Sequence, residues 1–189
     1  MPKRQRAPSN ESASGTIWTV GHSTRSAEEF KGILKAHQIA ALIDVRSFPG
    51  SRRCPQFNKE QLQQSLAEAN VVYKHMPSLG DRRRPNPESK NIAWKNSSFR
   101  AYADHLETEE FKHGIKELIV LGAAQRTAVM CAEALWWRCH RSLISDFLKA
   151  NDWEVVHIMD AQRMELHPYT SAARIVEGRL SYEGMFESK

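Results

Sequence analysis

Long apolar runs are missing from this sequence, and so are paired cysteines. No stretch approaches the roughly 18 apolar residues that a membrane-spanning helix requires, so no membrane association is expected. Residues 1–15, MPKRQRAPSNESASG, contain no apolar segment of the kind a secretory signal needs and read as a disordered basic tail. The 189 residues include only three cysteines, Cys54, Cys131 and Cys139. An odd count without a short Cys-x-x-Cys pair argues against a disulfide framework and for a reducing compartment, so the expected location is the cytoplasm. Cys131, Cys139 and His140 are the residues nearest to a metal set, but with no short pair to anchor an ion, neither metal nor cofactor is expected. Charge of one sign is not in large excess either. Of the net +5, the tail's Lys3, Arg4 and Arg6 against Glu11 supply two units. The remainder permits an anionic partner, either a small molecule or a nucleic acid, without demanding one.

What is present is a steady alternation. A hydrophobic fraction of 41% and a charged fraction of 26% suit a globular protein. From Thr16 onward apolar runs alternate with helix-period segments, the trace of βαβ units on a parallel sheet. Strands are expected at Thr16–Val20, Ala40–Val45, Val71–His75, Arg126–Met130 and Trp153–Ile158. Ser26 with Glu29 forms a capping box ahead of Phe30, Ile33 and Leu34, Asn58 caps a second helix, and further helices follow Ser98, Thr108 and Cys139. The prolines and arginines between positions 77 and 97 mark a long loop, and Thr170 or Ser171 with Ile175 and Val176 suggests a short terminal helix. The expected architecture is one α/β domain over 16–189, a three-layer Rossmann-like fold with a mostly parallel five-stranded sheet in the order 3-2-1-4-5.

Ligands of open α/β sheets bind beyond the carboxyl ends of the strands. His22 and Ser23 follow the first strand, Asp44 and Arg46 close the second, and Cys131 and Glu133 follow the fourth, so these residues are expected in one cleft. Ser51 and Arg52 lie on the loop after the second strand, while Cys139, His140 and Arg141 open a helix. A thiol at a strand end near arginines can be acidified into a nucleophile, which makes Cys131, Glu133, His22 and Asp44 the catalytic candidates. Ser23, Arg46, Ser51, Arg52, Cys139, His140 and Arg141 are the ligand-binding candidates. The six residues between Cys131 and Arg138, without glycines, do not form the phosphate loop of cysteine phosphatases. Arg82, Arg83 and Arg84 read either as a solvated loop or as a grip on phosphate, and Trp94, Trp136 and Trp137 as core or as stacking platforms.

Three motifs in order carry a family resemblance. Val20-Gly21-His22-Ser23, the run from Asp44 to Arg52, and Met130-Cys131-Ala132-Glu133 with Cys139-His140-Arg141 resemble the bacterial and archaeal domain of unknown function 488 over about Ile17 to Ile158. The stretch from His167 to Arg174 also looks familial. The resemblance implies a compact α/β fold and a common site, and it supplies no substrate. The leading expectation is an enzyme acting on a phosphate-bearing ligand, a nucleotide or nucleic acid, through Cys131 or Glu133 with Arg46, Arg52 and Arg141 on the anion. The alternatives are a non-catalytic nucleic-acid binder and a thiol-based redox protein.

Overall fold

The computed structural model describes residues 15–184; apart from Gly15, the expected tail lies outside the described residues. Six strands form one sheet. β1 (Thr16–Gly21), β2 (Ala41–Asp44), β3 (Val72–His75), β4 (Thr127–Cys131) and β5 (Glu154–Ile158) run parallel, and β6 (Met164–Leu166) adds an antiparallel edge to β5. The order is 3-2-4-1-5-6 rather than 3-2-1-4-5. β4 lies between β2 and β1, where Ala128, Val129 and Met130 are wholly buried from both faces. The ends of β1, β2 and β4 therefore stay contiguous even though their order differs from the expected one.

Helices cover both faces. α1 (Ala27–Ala36) and α2 (Lys59–Glu68) pack Phe30, Ile33, Leu34, Leu62 and Leu66 against Leu42, Ala128 and Met130. α3 (Ser97–His105), α4 (Glu109–Ala124) and α5 (Arg141–Ala150) pack Tyr102, Phe111, Leu118 and Leu143 against Ile17, Ile43 and Val129. The Ser26 hydroxyl accepts from Glu29 N–H at 3.1 Å, and Thr108 from Phe111 at 3.2 Å, so both helix starts follow their capping residues. Asn58 does not cap α2; its Oδ1 accepts from Ser51 N–H at 2.7 Å and shapes the preceding loop instead.

The expected terminal helix is replaced by a hairpin, β7 (Arg174–Val176) and β8 (Arg179–Ser181). Glu177 at φ +49° and Gly178 at φ +76° form a two-residue connection with both central residues left-handed, which suits the twist of a hairpin. The β-branched pair Ile175-Val176 then reads as strand rather than helix. The segment from 77 to 97 is irregular apart from a turn of 3-10 helix at Pro77–Leu79 and the first residue of α3. It is nonetheless anchored: Arg83 pairs with Glu110 at 2.8 Å and donates to the Gly80 carbonyl.

Candidate functional site

Strand register decides which side chains meet. Gly21 lies beside Cys131 and Asp44 beside Met130. Neighbours in register point to the same face, and successive residues alternate. Cys131 therefore faces α3–α5, whereas Asp44, and His22 one residue beyond Gly21, face α1 and α2. The candidates form two clusters, not one cleft. Between them runs the segment after β4, zipped to the end of β1 by His22 N–H to the Cys131 carbonyl at 3.0 Å and Ser23 N–H to the Ala132 carbonyl at 2.9 Å. A Cβ on Gly21 would lie 2.0 Å from the Glu133 carbonyl oxygen, so only glycine lets the two segments come this close.

On the α1–α2 face, Arg46 is fully engaged. Its Nε and Nη2 grip the two oxygens of Asp44 at 2.8 and 2.6 Å, Nη2 also donates to the Phe57 carbonyl, and Nη1 lies 3.2 Å from His22 Nε2. Asp44 is wholly buried and takes a further bond from the Tyr73 hydroxyl at 2.8 Å. Burial and the adjacent carboxylate push the Tyr73 phenol up, so it stays a donor. His22 donates from Nδ1 to the Ser23 carbonyl at 2.8 Å and stacks on Phe57. Burial, with Arg46 nearby, lowers its pKa to about 4, which leaves the neutral imidazole to accept from Arg46. A cavity of about 410 Å³ opens beside this cluster, lined by Ser23, Arg46, Ser51 and Arg53. Ser23 there holds φ at +51°, a left-handed conformation costly for serine.

On the α3–α5 face, Cys131, Cys139 and His140 offer three ligating atoms within 4.8 Å of one another on a cavity of about 520 Å³. Arg141, 1% exposed, donates from Nε to Cys139 Sγ at 3.4 Å, and His140 Nδ1 lies 3.6 Å from the same sulfur. Burial alone would raise the Cys139 pKa, but hydrogen bonding from Cys131 and the charges of Arg141 and His140 outweigh it, so the thiol is lowered. Cys131 moves the opposite way, raised by its hydrogen bond to Cys139 and by burial. His140 is buried, yet its Nε2 has no hydrogen-bond partner among the described residues. Arg82, Glu133 and Arg138 stand exposed around this cavity.

These three ligating atoms are the metal-capable group among the described residues. A guanidinium already donating to Cys139 puts positive charge where a cation would bind, so the group fits a thiolate better than a metal ion.

The structure separates the expected site residues by role. Cys131, Glu133, Cys139 and His140 line one cavity, and His22, Ser23, Arg46 and Ser51 the other; Glu133 borders both. Arg52 lines neither: the turn closed by Cys54 N–H on Ser51 Oγ at 3.1 Å leaves Arg52 in solvent and Arg53 in the wall. Arg141 holds the wall itself, through the carbonyls of Glu133 and Ala134 and the Thr19 hydroxyl. Of the tryptophans, Trp136 is buried, stacked on His157 at 4.3 Å, and Trp137 is exposed.

Sequence reasoning overlooked a buried relay. Thr19 Oγ1 lies 2.6 Å from His157 Nδ1 and His157 Nε2 lies 2.8 Å from His167 Nδ1, while His167 Nε2 donates to Asp146 at 3.0 Å and Thr170 and Tyr182 complete the carboxylate. Burial lowers His157 to about 2, consistent with one neutral tautomer passing the polarity along. The available signal was a histidine inside the apolar strand Val155–Ile158, paired in register with Thr19.

The fold and its two clusters define an α/β protein with a mostly parallel sheet and polar groups gathered at its carboxyl edge. The family model described as Domain of unknown function DUF488 matches residues 26–148, more than half of the chain, and the chain belongs to that family. The match begins after the Val20–Ser23 motif and ends before His157 and His167. No curated protein and no solved structure matches. Among the described residues no helix is long and apolar enough to cross a membrane.

Proposed function

We propose that the protein is an enzyme acting on a phosphate-bearing ligand, a nucleotide or a nucleic acid, in the thiol-lined cavity. Cys139 is its nucleophile and Glu133 its acid–base group. One observation carries the reading: the Cys139 sulfur receives a guanidinium hydrogen bond on the wall of a cavity edged by Arg82 and Arg138. Neither of these arginines is in a salt bridge among the described residues, which leaves both for an anion. His140 also lines this cavity, and its buried Nε2 is without a partner among the described residues. Relative to the sequence expectation, the nucleophile moves from Cys131 to Cys139 and the anion contacts move from Arg46, Arg52 and Arg141 to Arg82 and Arg138.

A turnover screen against nucleotides and short DNA and RNA, including damaged strands, tests the reading. Cys139→Ser should reduce any activity found to background, and Glu133→Gln should lower it by about 10²–10⁴-fold, the usual contribution of a positioned acid or base. Activity indifferent to both substitutions overturns the assignment.

A further inference from the structure

We infer that Cys139 and Cys131 also form a two-electron thiol–disulfide couple that reduces a hydroperoxide, with Cys139 as the attacking sulfur and Cys131 as the resolving one. The inference shares the Cys139 sulfur with the proposed function but needs neither Arg82 nor Arg138. Three features of the structure support it. The two sulfurs lie within 4.8 Å of each other and both line the 520 Å³ cavity, so a small oxidant reaches them together. Arg141 and His140 both contact Cys139 rather than Cys131, which makes the two sulfurs unequal. Cys139 lies in loop backbone between β4 and α5, outside regular structure, where one partner can adjust as a bond of about 2.05 Å forms.

The chemistry balances without a cofactor. The Cys139 thiolate attacks the terminal oxygen of the hydroperoxide; the O–O bond breaks, the alcohol or water leaves with a proton, and Cys139 becomes a sulfenic acid. The sulfur of Cys131 then attacks Cys139, the S–O bond breaks, the hydroxyl leaves as water with the Cys131 proton, and the disulfide forms. Two electrons pass from the sulfur pair to the peroxide.

Cys54 supplies an internal control. It is the third free cysteine, and it lies on the opposite face, where its sulfur points to the Ser23 carbonyl at 3.8 Å. It has no guanidinium partner among the hydrogen bonds of the described residues.

The test treats the full chain with hydrogen peroxide and maps its thiols by mass spectrometry over time. The expected result is a protein two hydrogens lighter, with Cys131 linked to Cys139 at least about tenfold faster than Cys54 reacts, because Cys139 has both a guanidinium contact and a second sulfur within reach. In Cys131→Ser the expected product is a Cys139 sulfenic acid that a 1,3-dione traps, and in Cys139→Ser the remaining Cys131 stays reduced. Cys54→Ser should leave the couple intact. Oxidation that begins at Cys54, or that drives Cys139 to sulfinic acid with Cys131 still free, overturns the inference. Loss of the disulfide alongside retained Cys139-dependent turnover would remove the couple and spare the proposed function; a disulfide without turnover would do the reverse.

Discussion

Arg46 and Arg82 line neighbouring cavities on either side of the Ala132–Ala134 wall, and they are used in opposite ways. Around Arg46 the polar groups satisfy one another: a bidentate carboxylate, a backbone carbonyl, a neutral imidazole and a phenol leave little for an incoming ligand. Around the thiols the accounting is open. A sulfur with a guanidinium on it, an imidazole nitrogen without a partner and exposed arginines share one cavity. Buried polar groups are normally satisfied, so the unsatisfied side is the one on which the proposed function rests. The first cluster fixes the sheet edge, and the second has chemistry to spare.

The largest effect that separates the two sides is on stability. Asp44→Asn removes the charge that Arg46 pairs with in the interior and should cost about 3–5 kcal/mol, because the guanidinium stays buried without its counter-ion. Urea unfolding measures this. The alkylation rate of Cys139 in the folded fraction should not change; if it falls in parallel, the two clusters are one unit.

Acid should act next. His22 is held at about 4 in the folded protein against 6.5 in the unfolded chain. The unfolded chain therefore takes up the proton first, so this stability is complete above pH 6.5 and is lost as pH falls to about 4. The depression corresponds to about 3 kcal/mol. Unfolding free energies measured between pH 7 and 4 should show the fall, and His22→Gln should flatten its slope; an unaltered slope would assign the acid sensitivity elsewhere. His157, lowered to about 2, adds a loss over the same range and below it.

The smallest effect is on ligand affinity. Arg82→Ala and Arg138→Ala should each weaken a phosphate-bearing ligand about tenfold, the size of one charge-assisted contact, whereas Arg53→Ala should leave affinity unchanged. Calorimetric titration with a nucleotide distinguishes them, and a reversed pattern would move the ligand to the Arg46 side.

Much of the fold was legible because its signals are local. Ser26 and Thr108 start their helices through hydrogen bonds to residues three positions on, and β1 to β5 follow the apolar runs to within a residue or two at most ends. At 174–181 a capping position at Thr170 or Ser171 followed by Ile175-Val176 fits a helix start, while the feature that decides for a hairpin is the pair of left-handed residues at 177 and 178. The site was legible as a set of residues but not as an arrangement. Cys139 looked secondary to Cys131, since nothing along the chain says that Arg141 donates to one sulfur rather than the other.

By itself, the sequence determined the class of fold, the edge of the sheet where the polar residues gather, and the family motifs. The tertiary structure alone decided that β4 enters between β1 and β2, that His22 and Cys131 face opposite ways, and that Arg141 donates to Cys139. The physical reason is register. Whether two side chains share a face depends on hydrogen bonds between strands more than a hundred residues apart, such as Gly21 beside Cys131, and a slip of one residue would exchange the faces.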